Sequence, residues 1–237
     1  MLIIFDIDGT LTNTKKVDDK CFKSAFKETF GIDTENQNWE HLVNVTDWGI
    51  TEEIFLRERN RLPTSNENKT LTINFINKLN AEFARNPTQF DAVRGANQFL
   101  KRLKQLGYSF SIATGGWLSS AMMKVNASGL DVQGIPFASS NDFKTRENII
   151  QHAIRLSEKT FGLQFNEIVY FGDGAWDYTI SRKLGLRFIG LDVHQDGKLR
   201  KLGAEHVFED YRNTTSIESL LNHMLKSSAS HSKFTNP

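Results

Sequence analysis

Beyond Phe90 the chain alternates between short apolar runs and stretches of helical periodicity, and this alternation most narrows the folds open to it. Apolar or β-prone runs fall at 108–113, 135–138, 168–171, 187–191 and 206–208. Helical patterns lie between them at 96–106, 117–127, 145–160, 175–184 and 216–225. Another run, Leu2 to Phe5, opens the chain. Continuous apolar runs of this length suit strands buried on both faces. Strands alternating with helices predict an α/β fold, a parallel sheet covered by helices on both sides.

Residues 15–88 break the pattern. Apolar residues recur at Phe22, Ala25, Phe26 and Phe30, and again at Leu71, Phe75, Leu79 and Phe83. Both spacings are those of amphipathic helices. A helix is also expected over 52–61, stopped by Pro63, and no strand is evident in the segment. The expected organisation is a core of residues 1–14 and 89–226, an all-helical insert of 15–88, and a disordered tail of 227–237. The tail is Ser-rich and has no periodicity.

Composition excludes several function classes. The 29 basic and 28 acidic residues leave a net charge of +1, which disfavours nucleic-acid binding by bulk charge. The single cysteine, Cys21, cannot form an internal disulfide and sits in a helical pattern, as a packed thiol would. The first apolar run is too short for a secretory leader and has no basic flank, and no stretch approaches the ~20 apolar residues of a membrane span. A soluble cytoplasmic protein is expected, with no membrane partner and an oligomeric state left open between monomer and homodimer.

In open parallel sheets, ligands bind beyond the carboxyl ends of the strands. Here those ends carry Asp6 and Asp8, then Thr114, then Asp173 with Asp177 four residues on. Lys144 and Arg146 open the helix before the Asp173 strand. Several carboxylates in one crevice need a compensating cation, and hard oxygen ligands in that number suit Mg²⁺. Such a cation would also neutralise an approaching phosphate, and aspartate can serve as a covalent nucleophile. Asp8 would stand near enough to protonate a leaving-group oxygen and later to deprotonate water. Thr114 and the backbone N–H groups around Gly115 and Gly116 are candidates to hold phosphoryl oxygens, with a basic charge from Lys144 or Arg146.

These residues resemble a known family. Asp-Ile-Asp-Gly-Thr-Leu-Thr (6–12), Ser-Ile-Ala-Thr-Gly-Gly (111–116) and Phe-Gly-Asp-Gly-Ala-Trp-Asp (171–177) look like the first, second and fourth motifs of the haloacid dehalogenase superfamily. Lys144 or Arg146 meets the third. Asp-Gly-Thr-Leu followed by a helix ending Phe30-Gly31-Ile32, Thr46-Asp47, and Ala204 to Asp210 are similar to its phosphoglycolate-phosphatase-like subgroup. That subgroup commonly has Lys-Pro in motif three and Gly before the Thr-Asp pair, where this chain has Lys144-Thr145 and Val45.

The resemblance implies a Rossmann-like three-layer core with Asp6 as nucleophile and Asp8 as general acid/base. It implies Mg²⁺ held by the Asp6 carboxylate, the Asp8 backbone carbonyl and the Asp173 carboxylate, with Asp177 acting nearby. The insert 15–88 would be a cap over the site. The expected activity is hydrolysis of a small phosphorylated metabolite through an aspartyl-phosphate. A sugar phosphomutase on the same core is the alternative, and a non-catalytic binding module is disfavoured because Asp6, Asp8 and Asp173 are all present. Dehalogenation has no need of a carboxyl at Asp8. A phosphonate hydrolase would need a Schiff-base lysine, and no lysine of the insert, Lys15 included, has a sequence context that marks it out.

Overall fold

The computed structural model describes the backbone of residues 1–231 and the side chains of residues 1–226. Six parallel strands form one sheet in the order β3-β2-β1-β4-β5-β6, confirming the expected α/β, Rossmann-like class. They are β1 (Leu2–Phe5), β2 (Ser109–Ala113), β3 (Phe137–Ala138), β4 (Ile168–Gly172), β5 (Arg187–Leu191) and β6 (Val207–Phe208). The first strand is central, with Phe5 registered against Ile112 of β2 and Phe171 of β4. Alternate residues of β1 serve opposite faces. Ile3 and Phe5 pack with Phe99, Phe110 and Tyr211, whereas Leu2 and Ile4 pack with Ile149, Ile150 and Tyr170. Both faces are buried, which explains the unbroken apolar run.

Between β1 and β2 lie α1 (Lys15–Phe30), α2 (Asp47–Arg59) and α3 (Ser65–Arg85), and α4 (Ala96–Gln105) returns the chain to the sheet. The three helices bury their own apolar cluster: Val17, Cys21, Phe22 and Phe26 of α1, Ile54 and Phe55 of α2, and Leu71, Phe75 and Leu79 of α3. Trp117, at the start of α5 (Leu118–Ala127), joins that cluster and ties it to the sheet domain. Both α2 and α3 begin earlier than apolar periodicity suggests, because caps rather than core residues set their first turns. Thr46 accepts from the Gly49 N–H, and Thr64 and Glu67 form a reciprocal capping box.

The remaining helices are α6 (Arg146–Phe161), α7 (Ala175–Lys183), the short α8 (Lys198–Lys201) and α9 (Thr214–His231). α9 was expected to end at Leu225. Its backbone is helical to His231, and residues 232–237 of the expected tail lie outside the described residues. Extending an existing helix costs far less than nucleating one, and no Gly or Pro interrupts this segment. No helix among the described residues is long and apolar enough to cross a membrane.

Candidate active site

The sheet order brings the polar strand ends together. β2, β1 and β4 are neighbours, so Thr114, Asp6 and Asp173 leave the same edge of the sheet side by side. The loop after β1 turns sharply, with Gly9 at φ +81°. A Cβ on Gly9 would stand 2.2 Å from the Asp173 carboxylate, so glycine is required both for the conformation and for the close approach. A cavity of about 360 Å³ opens over these loops. Its walls include Asp6, Asp8, Thr114, Gly115, Gly116 and Arg146 from the sheet domain, and Lys15, Asp18, Phe22, Trp39 and Asp47 from the helical insert.

Asp6 is buried, and its Oδ1 has no hydrogen-bond partner. The nearest cation is the Arg146 guanidinium, 3.5 Å from that oxygen. Burial pushes the Asp6 carboxyl well above the ordinary carboxylate range; Arg146 opposes the shift, and Asp177, Asp173 and Asp8 add to it. Asp173 is similarly raised, to about 6, by burial, against the pull of Lys15. Its Oδ2 accepts from Lys15 Nζ at 2.6 Å, while its Oδ1 is another unpartnered buried acceptor. Asp177 differs: Oδ1 accepts from Arg146 (2.9 Å) and Tyr170 (3.1 Å), and Oδ2 from the Gly174 N–H. It therefore orients Arg146 and caps α7.

Among the described residues, Asp6, Asp173 and Asp177 offer carboxylate oxygens all within 4.8 Å of one another. Two unpartnered buried acceptors from hard oxygen donors at that spacing fit a divalent cation such as Mg²⁺. Asp177 fits less directly, because both its oxygens already accept from the protein.

Thr114 lies buried at the end of β2, its Oγ1 accepting from the Gly116 N–H at 3.1 Å. Gly115 runs against Arg146: a Cβ there would meet the guanidinium at 2.8 Å and the Val45 carbonyl at 2.9 Å. The two basic candidates separate. Arg146 is in the cavity, donating from Nε to the Val45 carbonyl and lying over the Trp176 ring at 5.5 Å. Lys144, proposed from the sequence for the same role, is not: its half-exposed side chain pairs with Glu52 of α2 at 2.7 Å. Thr145 caps α6, so Arg146 opens the helix toward the strand ends while Lys144 lies before the cap.

Three site residues escaped the sequence reading. Lys15 directly follows the loop after β1 and reaches Asp173, where the carboxylate outweighs the cost of burial and raises the ammonium's pKa. Asp47, in the Thr46-Asp47 pair, accepts from the Trp117 N–H at 2.8 Å and is raised to about 6, chiefly by burial. Lys124 has no exposed side-chain surface and pairs with Asp8 and Asp18.

Comparison with known proteins gives the family and the fold. The haloacid dehalogenase-like hydrolase family matches residues 3–191, and the chain belongs to that family. No curated protein matches significantly. Among solved structures, a hydrolase from Pseudomonas syringae is 24% identical with a TM-score of 0.67, covering 94% of this chain and 97% of its own. CbbY from Rhodobacter sphaeroides, solved in complex with phosphate, is 18% identical with a TM-score of 0.65, covering 90% and 95%. A predicted phosphoglycolate phosphatase from Haemophilus somnus 129PT is 17% identical with a TM-score of 0.62, covering 92% and 97%. At these identities the likeness establishes a shared fold.

Proposed function

We propose that the protein hydrolyses phosphate monoesters of small metabolites through an aspartyl-phosphate on Asp6. The observation that carries this reading is the Asp6 carboxylate itself, buried at a strand end with one oxygen unpartnered and an arginine 3.5 Å away. The bound phosphate of CbbY and the description of the Haemophilus protein agree with the substrate class. In the first half-reaction an Asp6 oxygen attacks phosphorus and the leaving alkoxide takes a proton from Asp8. In the second, Asp8 takes a proton from water, which attacks the aspartyl-phosphate and frees Asp6 and inorganic phosphate. Arg146, the Thr114 hydroxyl and the backbone at Gly115 bind and orient the phosphoryl oxygens.

Mg²⁺ would be held by the Asp6 and Asp173 carboxylates and the Asp8 carbonyl, with Asp177 holding Arg146 beside it. Bound there, it supplies positive charge that lets an anionic nucleophile approach a phosphate dianion. The core 1–14 and 89–226 would carry the chemistry, and the insert 15–88 would act as the cap that surrounds the leaving group and excludes water. A cavity of about 360 Å³ suits a small substrate. A cytoplasmic setting, the default expectation from the sequence, belongs to the same proposal.

The test is phosphate release from a panel of monoesters, with Mg²⁺ and with chelator, for wild type and Asp6→Asn. Mg²⁺-dependent release that the variant loses by at least about 10³-fold is the expected result. Equal release from both proteins would remove Asp6 as nucleophile. Isomerised sugar phosphate without free phosphate would make the protein a mutase.

A further inference from the structure

Lys124 is a buried ammonium that the mechanism above does not use, and it does not line the cavity. Its Nζ lies 2.6 Å from Asp8 Oδ2 and 2.5 Å from Asp18 Oδ1. Asp8 Oδ1 accepts from the Thr14 hydroxyl at 2.5 Å, and that hydroxyl lies 2.5 Å from the hydroxyl of Thr12. Both oxygens of Asp8 are thus fixed, one by the loop after β1 and one by α5. Lysine is rarely buried without partners, because desolvating its charge is costly. A pin between α5 and α1 would account for Asp18. It would not account for the bond to Asp8, whose side chain faces the cavity.

We infer that Lys124 is a positioning residue, which aims the Asp8 carboxyl at the leaving-group oxygen. The inference rests on the phosphatase reading above. In the step it serves, the bond from phosphorus to the leaving oxygen breaks and phosphorus is bonded to Asp6. The leaving oxygen takes its proton from Asp8, while Lys124 and Thr14 keep theirs.

The experiment compares kcat/KM for an alkyl phosphate and for p-nitrophenyl phosphate, since kcat/KM reports events up to departure of the leaving group. An alkoxide needs the proton from Asp8; p-nitrophenolate leaves without one. Lys124→Met should lower kcat/KM on the alkyl ester by about 10–100-fold and leave the aryl ester within about threefold. The retained aryl rate also reports a folded protein with a working Asp6. Lys124→Gln keeps a donor and removes the charge, so it carries the same test if the Met variant does not fold; its loss should be smaller and again confined to the alkyl ester. Asp18→Asn, which leaves Lys124 on Asp8, should change the rates on the two esters in equal proportion. In the Asp8→Asn background, Lys124→Met should add nothing. Equal losses on both esters, reproduced by Asp18→Asn, would overturn the inference and leave a structural pin. Inactivity of the wild type on both esters would instead overturn the phosphatase reading, and this inference with it.

Discussion

Arg146 and Lys144 stand two residues apart, are both basic, and were equal in kind as candidates for the phosphate-binding charge. Only the cap decides between them: Thr145 starts α6, Arg146 turns toward Asp6 and Asp177, and Lys144 turns to Glu52. We predict that Arg146→Ala lowers kcat/KM on a phosphate ester by at least about 10²-fold, since under the proposed function it removes the buried charge that binds the phosphoryl group. Lys144→Ala should stay within about threefold, because an exposed pair contributes little. Steady-state kinetics of the two variants checks both, and reversed effects would reassign the role. Asp6, Asp8, Thr114 and Asp173 were legible because each follows a strand-like run. Lys15 and Lys124 were not, because what places them is contact across more than a hundred residues: Lys15 with Asp173, Lys124 with Asp8.

At the scale of elements, the insert stands on aromatic packing between helices. Phe75 of α3 is fully buried, 5.4 Å from the Phe22 ring of α1 and 6.4 Å from Trp117. Phe75→Ala should destabilise the protein by about 3–5 kcal/mol, through lost burial and the cavity left behind. Denaturant unfolding measures this, and a cost under about 1 kcal/mol would contradict the packing. Apolar periodicity revealed most helices and strands, but it dated the start of α2 and α3 late. The first turn of α2 is capped by Thr46 without a reciprocal partner, while that of α3 carries a readable Thr64–Glu67 capping pair. α8 has four residues, too few for any periodicity to register.

For the whole molecule, the decisive fact is strand order. Alternation predicts a parallel sheet, but not that β2, β1 and β4 lie side by side, and that adjacency gathers the carboxylates that follow β1 and β4 and sets Thr114 beside them. Gathering them has an electrostatic consequence. Asp173 is raised to about 6 and Asp6 is raised as well, so both hold protons more tightly than free carboxylates do. Cation binding takes the ionised forms. Affinity for Mg²⁺ or Mn²⁺ should therefore fall as pH drops below about 6 and rise above it, with proton release on binding. Calorimetry at about pH 5 and about pH 7.5, in buffers of different ionisation heat, reads both effects. An affinity independent of pH would contradict this picture of the cluster.

The proposed function requires that phosphorus become bonded to Asp6. Its most direct test is to mix the Asp8→Asn variant with p-nitrophenyl phosphate and Mg²⁺, quench, and map the label by peptide mass. Without Asp8 to activate water, the intermediate should accumulate. One phosphoryl group is expected on the peptide that contains Asp6, and none once Asp6 is also replaced by Asn. Nitrophenol release with no phosphoryl group on that peptide, or with the group on another residue, would contradict it.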